Sequence, residues 1–209
     1  MIGFFSFTEV TDGAHRAYNE WHQFDHMPEQ FTLDGVCFGR RWVCTPDCRR
    51  AMVAVSPLLA SCHYMTLYLM RDRAVIPSFF ALATRLREEG RFFAERVAHL
   101  SGRFPVSAMA TASRLVVSPG ALPFRPSHGI YVVVGPPAPF LSEVDGVAGA
   151  WTFADDERHI TVAFVDGDLL PTAAAVGPQL RGLSGIEWAG PLEEVMPGHY
   201  SWFGAATSQ

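Results

Sequence analysis

The densest grouping of chemically capable side chains in this sequence is Tyr18-Asn19-Glu20-Trp21-His22-Gln23-Phe24-Asp25-His26-Met27-Pro28-Glu29. On a helix, positions 18, 22, 25 and 29 share one stripe, because steps of four, three and four return to the same face. That stripe carries Tyr18, His22, Asp25 and Glu29; His26 borders it, four residues from His22 and three from Glu29. Imidazole titrates near neutral pH, and a neighbouring carboxylate fixes its tautomer and raises its pKa, which suits a general acid/base. A place near a helix C-terminus would further favour the protonated form of His26. Two other readings fit the same spacing. A polar stripe is also the solvated face of an amphipathic surface helix. His22, His26 and Glu29 could together hold a metal, although Pro28 disturbs the geometry for the third ligand. A second stripe of Ala14, Ala17, Trp21 and Phe24 can pack on a sheet.

These side chains need elements to hold them. Residues 3–8 read as a strand, and a helical stretch runs from about residue 12 towards 31, with Thr11 or Asp12 as its N-cap. Pro28 removes a hydrogen bond and crowds the preceding turn, so a kink or helix end is expected near His26 and Met27. Strands over 36–43 and 62–70, a long helix over 76–100 and a strand over 108–117 complete a β-α-β-β-α-β order. Pro119, Gly120, Pro123 and Pro126 mark a linker. The order then repeats: a strand at 129–134, a short helix within 136–145, a hairpin of 147–154 and 159–165, a helix at 171–183, and strands at 185–191 and 198–203. The fold class is therefore α+β, with two fused ferredoxin-like halves, residues 1–118 and 128–209. Each four-stranded sheet leaves one face bare, and packing the two faces together buries both. That predicts an intramolecular α/β barrel with a cavity between the sheets. Strand alternation places Tyr64, Thr66 and Tyr68 on the cavity side, joined by Phe38, Arg40 and Trp42, and leaves Met65, Leu67 and Leu69 for the helices. An aromatic cavity with a few polar groups is the usual form of a small-molecule site. An ordinary inter-sheet core with tyrosine hydroxyls at its edge is the alternative.

Composition excludes several classes. The hydrophobic content of 49% and charged content of 18% describe a globular chain. A net charge of -5 speaks against nucleic acid as a partner, and no apolar run is long enough to predict a membrane helix. The N-terminus reads as a first strand and not as a signal peptide, so the expected location is cytoplasmic. The 16 basic residues are all Arg, which removes Schiff-base chemistry. The four cysteines, Cys37, Cys44, Cys48 and Cys62, have no standard zinc spacing and are expected to be free thiols, so no metal is expected. Nucleotide and nucleophile-elbow motifs are absent.

The run Tyr18-Asn19-x-Trp21-His22-x-x-Asp25-His26-Met27-Pro28-Glu29, followed by Gly35 and Arg40-Arg41-Trp42, resembles the signature of the EthD-like branch of the dimeric α/β-barrel superfamily. The match is specific over residues 18–42 and extends to the rest of the chain as element order. The sequence departs from that pattern at Gln30, where Arg is usual, and residues 128–209 carry no copy of the motif. The resemblance implies ferredoxin-like halves with a cavity, and His26 as the catalytic residue. On this reading Asp25, His22 or Glu29 orients His26. Tyr18, Trp21, Glu29, Arg40, Tyr64 and Tyr68 bind the substrate, with Arg40, Tyr64 and Tyr68 on a carbonyl or phenolate oxygen. The expected function is an enzyme of specialised metabolism of the cyclase, dehydratase or decarboxylase type. It would use acid/base chemistry without a cofactor on an aromatic or polyketide-like small molecule. A cofactor-independent monooxygenase and a non-catalytic hydrophobic-ligand-binding protein are the alternatives. A homodimer is left open.

Overall fold

The computed structural model describes residues 1–203 of the 209. The expected strand at 198–203 is absent from that range, and positions 204–209 of the second half lie outside the described residues. The first elements are β1 (Ile2–Val10), α1 (His15–Trp21), a π-helical turn (His22–His26), α2 (Met27–Phe31) and β2 (Val36–Val43). They are followed by α3 (Pro46–Arg50), β3 (Ala54–Val55), β4 (Tyr64–Met70), α4 (Ile76–Glu88) and β5 (Arg96–Thr111). Then come β6 (Gly129–Gly135), β7 (Val147–Ala154), β8 (His159–Val165), α5 (Leu169–Gln179) and β9 (Trp188–Glu194). No helix among the described residues is long and apolar enough to cross a membrane.

Strands neighbour one another in the order β2-β4-β1-β5-β7-β8-β6-β9-β3, and β2 also pairs with β9. The cycle of hydrogen-bonded neighbours is thus closed, the connectivity of an antiparallel α/β barrel, as the sequence predicts. The chain divides into two compact units. One holds residues 1–41, 62–103 and 195 onward; the other holds 42–61 and 104–194. The order β2-β4-β1-β5 and the order β7-β8-β6-β9 are the same permutation of a β-α-β-β-α-β chain.

In the first unit, β1 and β4 pair antiparallel with Phe4 opposite Tyr68, Ser6 opposite Thr66 and Thr8 opposite Tyr64. Directly opposed residues share a face, so this face is aromatic and hydroxylic. The other face carries Phe5, Phe7, Met65, Leu67 and Leu69, all without exposure. The kink expected near Pro28 takes the form of the π turn. The Met27 N–H reaches back five residues to the His22 carbonyl, and the helix then continues through Pro28 to Phe31.

The helix expected over 76–100 ends at Glu88. Gly90 adopts φ +71, its N–H bonds to the Arg87 carbonyl, and the Arg91 N–H bonds to the Leu86 carbonyl. That is a Schellman closure, which needs the left-handed backbone glycine supplies without a Cβ clash. The rest of the expected helix is not helical, and from Arg96 onward it is strand β5. In the second unit, Tyr131, Val133, Ala150, Ala173 and Val176 form the centre of an aliphatic core. Cys37 is exposed while Cys44, Cys48 and Cys62 are buried, and burial pushes the Cys44 thiol up to about 12.

Gly39 in β2 allows a close approach. A Cβ there would stand 2.9 Å from Phe31 Cζ and 2.9 Å from the Tyr68 ring. Gly39→Val is expected to destabilise the fold by about 1–3 kcal/mol in urea unfolding, through overpacking; a loss below about 0.5 kcal/mol would contradict this packing.

Candidate active site

A cavity of about 350 Å³ lies under the helices of the first unit. Its floor is the aromatic and hydroxylic sheet face: Phe4, Ser6 and Thr8 of β1 with Thr66 and Tyr68 of β4. One wall comes from the helical stretch through α2, as Tyr18, Trp21, His22, His26 and Gln30. The opposite side comes from α4 and β5, including Phe79, Arg87, Phe92 and Arg96. Thr66 and Tyr68, expected to face the other sheet, instead lie on the face that meets the helices. Alternation assigns residues to a shared strand face, but it does not say which face meets the helices.

The π turn decides which helical residues look inward. It adds a residue to the turn, so positions 18, 22, 26 and 30 follow one another along the cavity wall. Asp25 and Glu29, expected on the Tyr18/His22 stripe, instead pair with Arg91 at 2.5 and 2.7 Å. Neither is among the cavity-lining residues, and Asp25 is not hydrogen-bonded to His26. Their ion pairs tie the helical stretch to the segment carrying Phe92 and Arg96.

The His26 ring stacks on Trp21, with centroids 4.7 Å apart and planes 22° from parallel. It meets His22 and Phe92 edge-on at 5.1 and 5.7 Å. The Trp21 indole is itself fixed by a 2.7 Å hydrogen bond from Nε1 to the Arg91 carbonyl. Burial, then Arg96, lowers the His26 pKa to about 4, with Asp25 opposing and Arg41 adding to the effect. Burial, Arg41, His26 and Arg96 also hold His22 well below its ordinary value. The sequence argument for a raised, protonated His26 is therefore corrected. The helix does not end there, the carboxylate is engaged by Arg91, and burial together with Arg96 outweighs Asp25. At neutral pH both rings are uncharged and can accept a proton.

Arg40 and Arg41 exchange their expected places. Arg41 is 2% exposed, sits 4.8 Å from the Tyr18 ring centroid and 5.5 Å from that of Tyr64, and donates to Asn19 Oδ1 at 2.8 Å. Arg40 instead lies 5.3 Å from the Phe38 ring. Tyr64 is engaged away from the lining set: its hydroxyl meets His15 Nδ1 at 3.0 Å and accepts from Asn19 Nδ2 at 3.0 Å. Tyr68 does line the cavity, and burial raises its pKa. Sequence reasoning missed Asn19, Arg41, Phe92 and Arg96 as site residues. Asn19 and Arg41 stood within the quoted motif, whereas Phe92 and Arg96 lay inside a stretch read as helix. Among the described residues, no three His, Cys, Asp or Glu side chains are grouped to hold a metal ion.

Two expectations follow. Asn19→Leu removes the side-chain acceptor that the buried Arg41 guanidinium has among the described residues and should cost about 3–5 kcal/mol of stability, read by denaturant unfolding. A near-neutral result would mean that water serves Arg41 as well as Asn19 does. The depressed histidines set a pH dependence. Between the ordinary value of 6.5 and about 4, the unfolded chain binds protons that folded His15 and His26 refuse. Stability is therefore full above 6.5 and falls with acidification through that window, by up to about 1.4 kcal/mol per pH unit for each such group. His26→Gln should flatten the slope, and an unchanged slope would contradict the depressed pKa.

No family model and no curated protein sequence matches this chain. Several solved structures resemble it in fold. A candidate chlorite dismutase superposes with a TM-score of 0.57 at 10% identity, covering 93% of this chain and 94% of its own. A candidate monooxygenase from Fusobacterium nucleatum gives 0.52 at 7% identity, covering 93% and 92%. At such identities the likeness is one of fold alone.

Proposed function

We propose that this protein is a small-molecule enzyme in which His26 acts as general base on an aromatic or polyketide-like substrate. The observation that carries the proposal is a concentration of unpaired polar atoms among the cavity residues. His22 Nδ1, His26 Nδ1, both amide atoms of Gln30, the Tyr68 hydroxyl and Arg96 Nε are all occluded without a hydrogen-bond partner. Each such atom costs about 1–3 kcal/mol, and buried polar groups are otherwise almost always paired. A bound molecule that supplies partners accounts for the grouping.

The chemistry follows from charge. A neutral imidazole accepts a proton from a C–H or O–H next to a carbonyl. The negative charge that develops on the carbonyl oxygen then lies in the field of Arg96 and Arg41. Trp21 keeps the imidazole in one plane while this happens. An enolate formed in this way can attack a second carbonyl to close a ring, or expel a β-hydroxyl that leaves as water with the proton the imidazole took. In a decarboxylation the enolate would instead arise by loss of CO2 from a β-keto carboxylate. These are the cyclase, dehydratase and decarboxylase readings. A cofactor-independent monooxygenase is the second reading, favoured by the fold likeness to the Fusobacterium protein. There the same carbanion would meet dioxygen.

The test is turnover of a panel of aromatic β-keto compounds, followed by mass spectrometry, for wild type and His26→Asn. The variant should keep its thermal midpoint within a few degrees and lose roughly 100- to 10,000-fold in rate. Unchanged turnover in the variant would refute His26 as the base. Incorporation of label from isotopic dioxygen would select the monooxygenase reading. Binding without turnover across the panel would replace the enzyme with a ligand carrier.

A further inference from the structure

No Asp or Glu is among the residues lining the cavity, although the chain has 21 acidic residues against 16 basic ones. Two of the lining residues are arginines, Arg87 from the last turn of α4 and Arg96 from the start of β5. Their guanidinium carbons lie 4.5 and 4.4 Å from the centroid of one ring, Phe92. Among the described residues neither has a carboxylate within 4.0 Å. The acids nearby are engaged elsewhere: Asp25, Glu29 and Glu89 on Arg91, and Glu29 and Glu89 also on Arg85. The unpaired arginines are therefore not the result of a shortage of acids. Arg96 is half-buried and its Nε is occluded without a partner. Burial also lowers its pKa, the direction of a cation that lacks its counter-charge.

We infer that the substrate of this cavity is an aromatic carboxylate, its ring against Phe92 and Trp21 and its carboxylate paired with Arg96 in the cavity and Arg87 at its mouth. This inference rests on the cavity being the active site. A planar guanidinium matches a carboxylate through two parallel N–H donors, and its other surface stacks on an aromatic ring. A cavity of about 350 Å³ suits a ligand of two or three fused rings. The arrangement also couples binding to chemistry. A carboxylate beside Arg96 offsets one of the charges that hold the His26 pKa down, so the base strengthens once the anion is in place.

The test is calorimetric titration with 2-naphthoate and with its neutral isostere 2-naphthamide, on wild type, Arg96→Met and His26→Asn. In wild type the carboxylate should bind roughly tenfold to a hundredfold more tightly than the amide, the size expected for hydrogen bonds to a charged group. Arg96→Met should abolish that preference, and His26→Asn should keep it. Equal or tighter binding of the amide by wild type overturns the anion inference while the small-molecule reading stands. A preference that survives in Arg96→Met overturns the assignment of the carboxylate to Arg96. Binding of neither ligand overturns this inference, and unchanged turnover in His26→Asn separately refutes the general-base reading. The wild-type comparison needs no variant to fold.

Discussion

The Arg41 guanidinium is the constraint on which the first unit is built. It is almost fully buried, and among the described residues no carboxylate lies within 4.0 Å of it and its one side-chain hydrogen bond goes to Asn19. A buried cation is tolerated when its charge is spread over matched acceptors and ring faces. Here the Tyr18 and Tyr64 rings supply the faces. Asn19 is saturated in turn: its amide donates to the His15 carbonyl and the Tyr64 hydroxyl while its oxygen accepts from Arg41. One network thus fastens α1 to β2 and β4. Because nothing neutralises Arg41, its field reaches His22 and His26 and helps keep both uncharged.

A second device converts that anchoring into a usable wall. Held at Asn19, an uninterrupted α-helix would carry Asp25 round towards His22. The π turn between His22 and His26 spends an extra residue, and His26 takes the inward place. The displaced carboxylates then find Arg91, just past the Schellman turn at Gly90. That ion-pair cluster fixes the segment that brings Phe92 and Arg96 to the cavity. The acids are thereby held away from the histidines, and the cavity is left with arginine as its charged lining.

The second unit shows what the same topology does without these devices. In place of the helical stretch at 15–31 it has a single 3-10 turn at Pro139–Glu143. One of its core clusters packs Tyr131 with Val133, Ala138, Leu141, Ala150 and Ala173. The buried hydroxyls of Thr152 and Thr161 meet each other at 3.2 Å. Two halves of one chain order can therefore differ in role, because a site depends on bulky and polar residues and not on topology.

Residues 36–43, 147–154 and 159–165 were legible as strands in full, because alternation and glycine or aspartate turns are local signals. The segment 18–30 was legible as the chemical centre of the chain because its residue types are unusual together on any helix. What tertiary structure decided was phase. Whether Asp25 or His26 faces the cavity depends on one residue added to a helical turn, and whether Arg40 or Arg41 is buried depends on which face of β2 meets α1. The placing of Phe92 and Arg96 depends on a helix that stops at Gly90 and a strand that begins where the helix had been expected to continue. Periodicity in a sequence tells which side chains travel together; it carries no record of the element they will be packed against, and that partner determines charge, burial and protonation at the site.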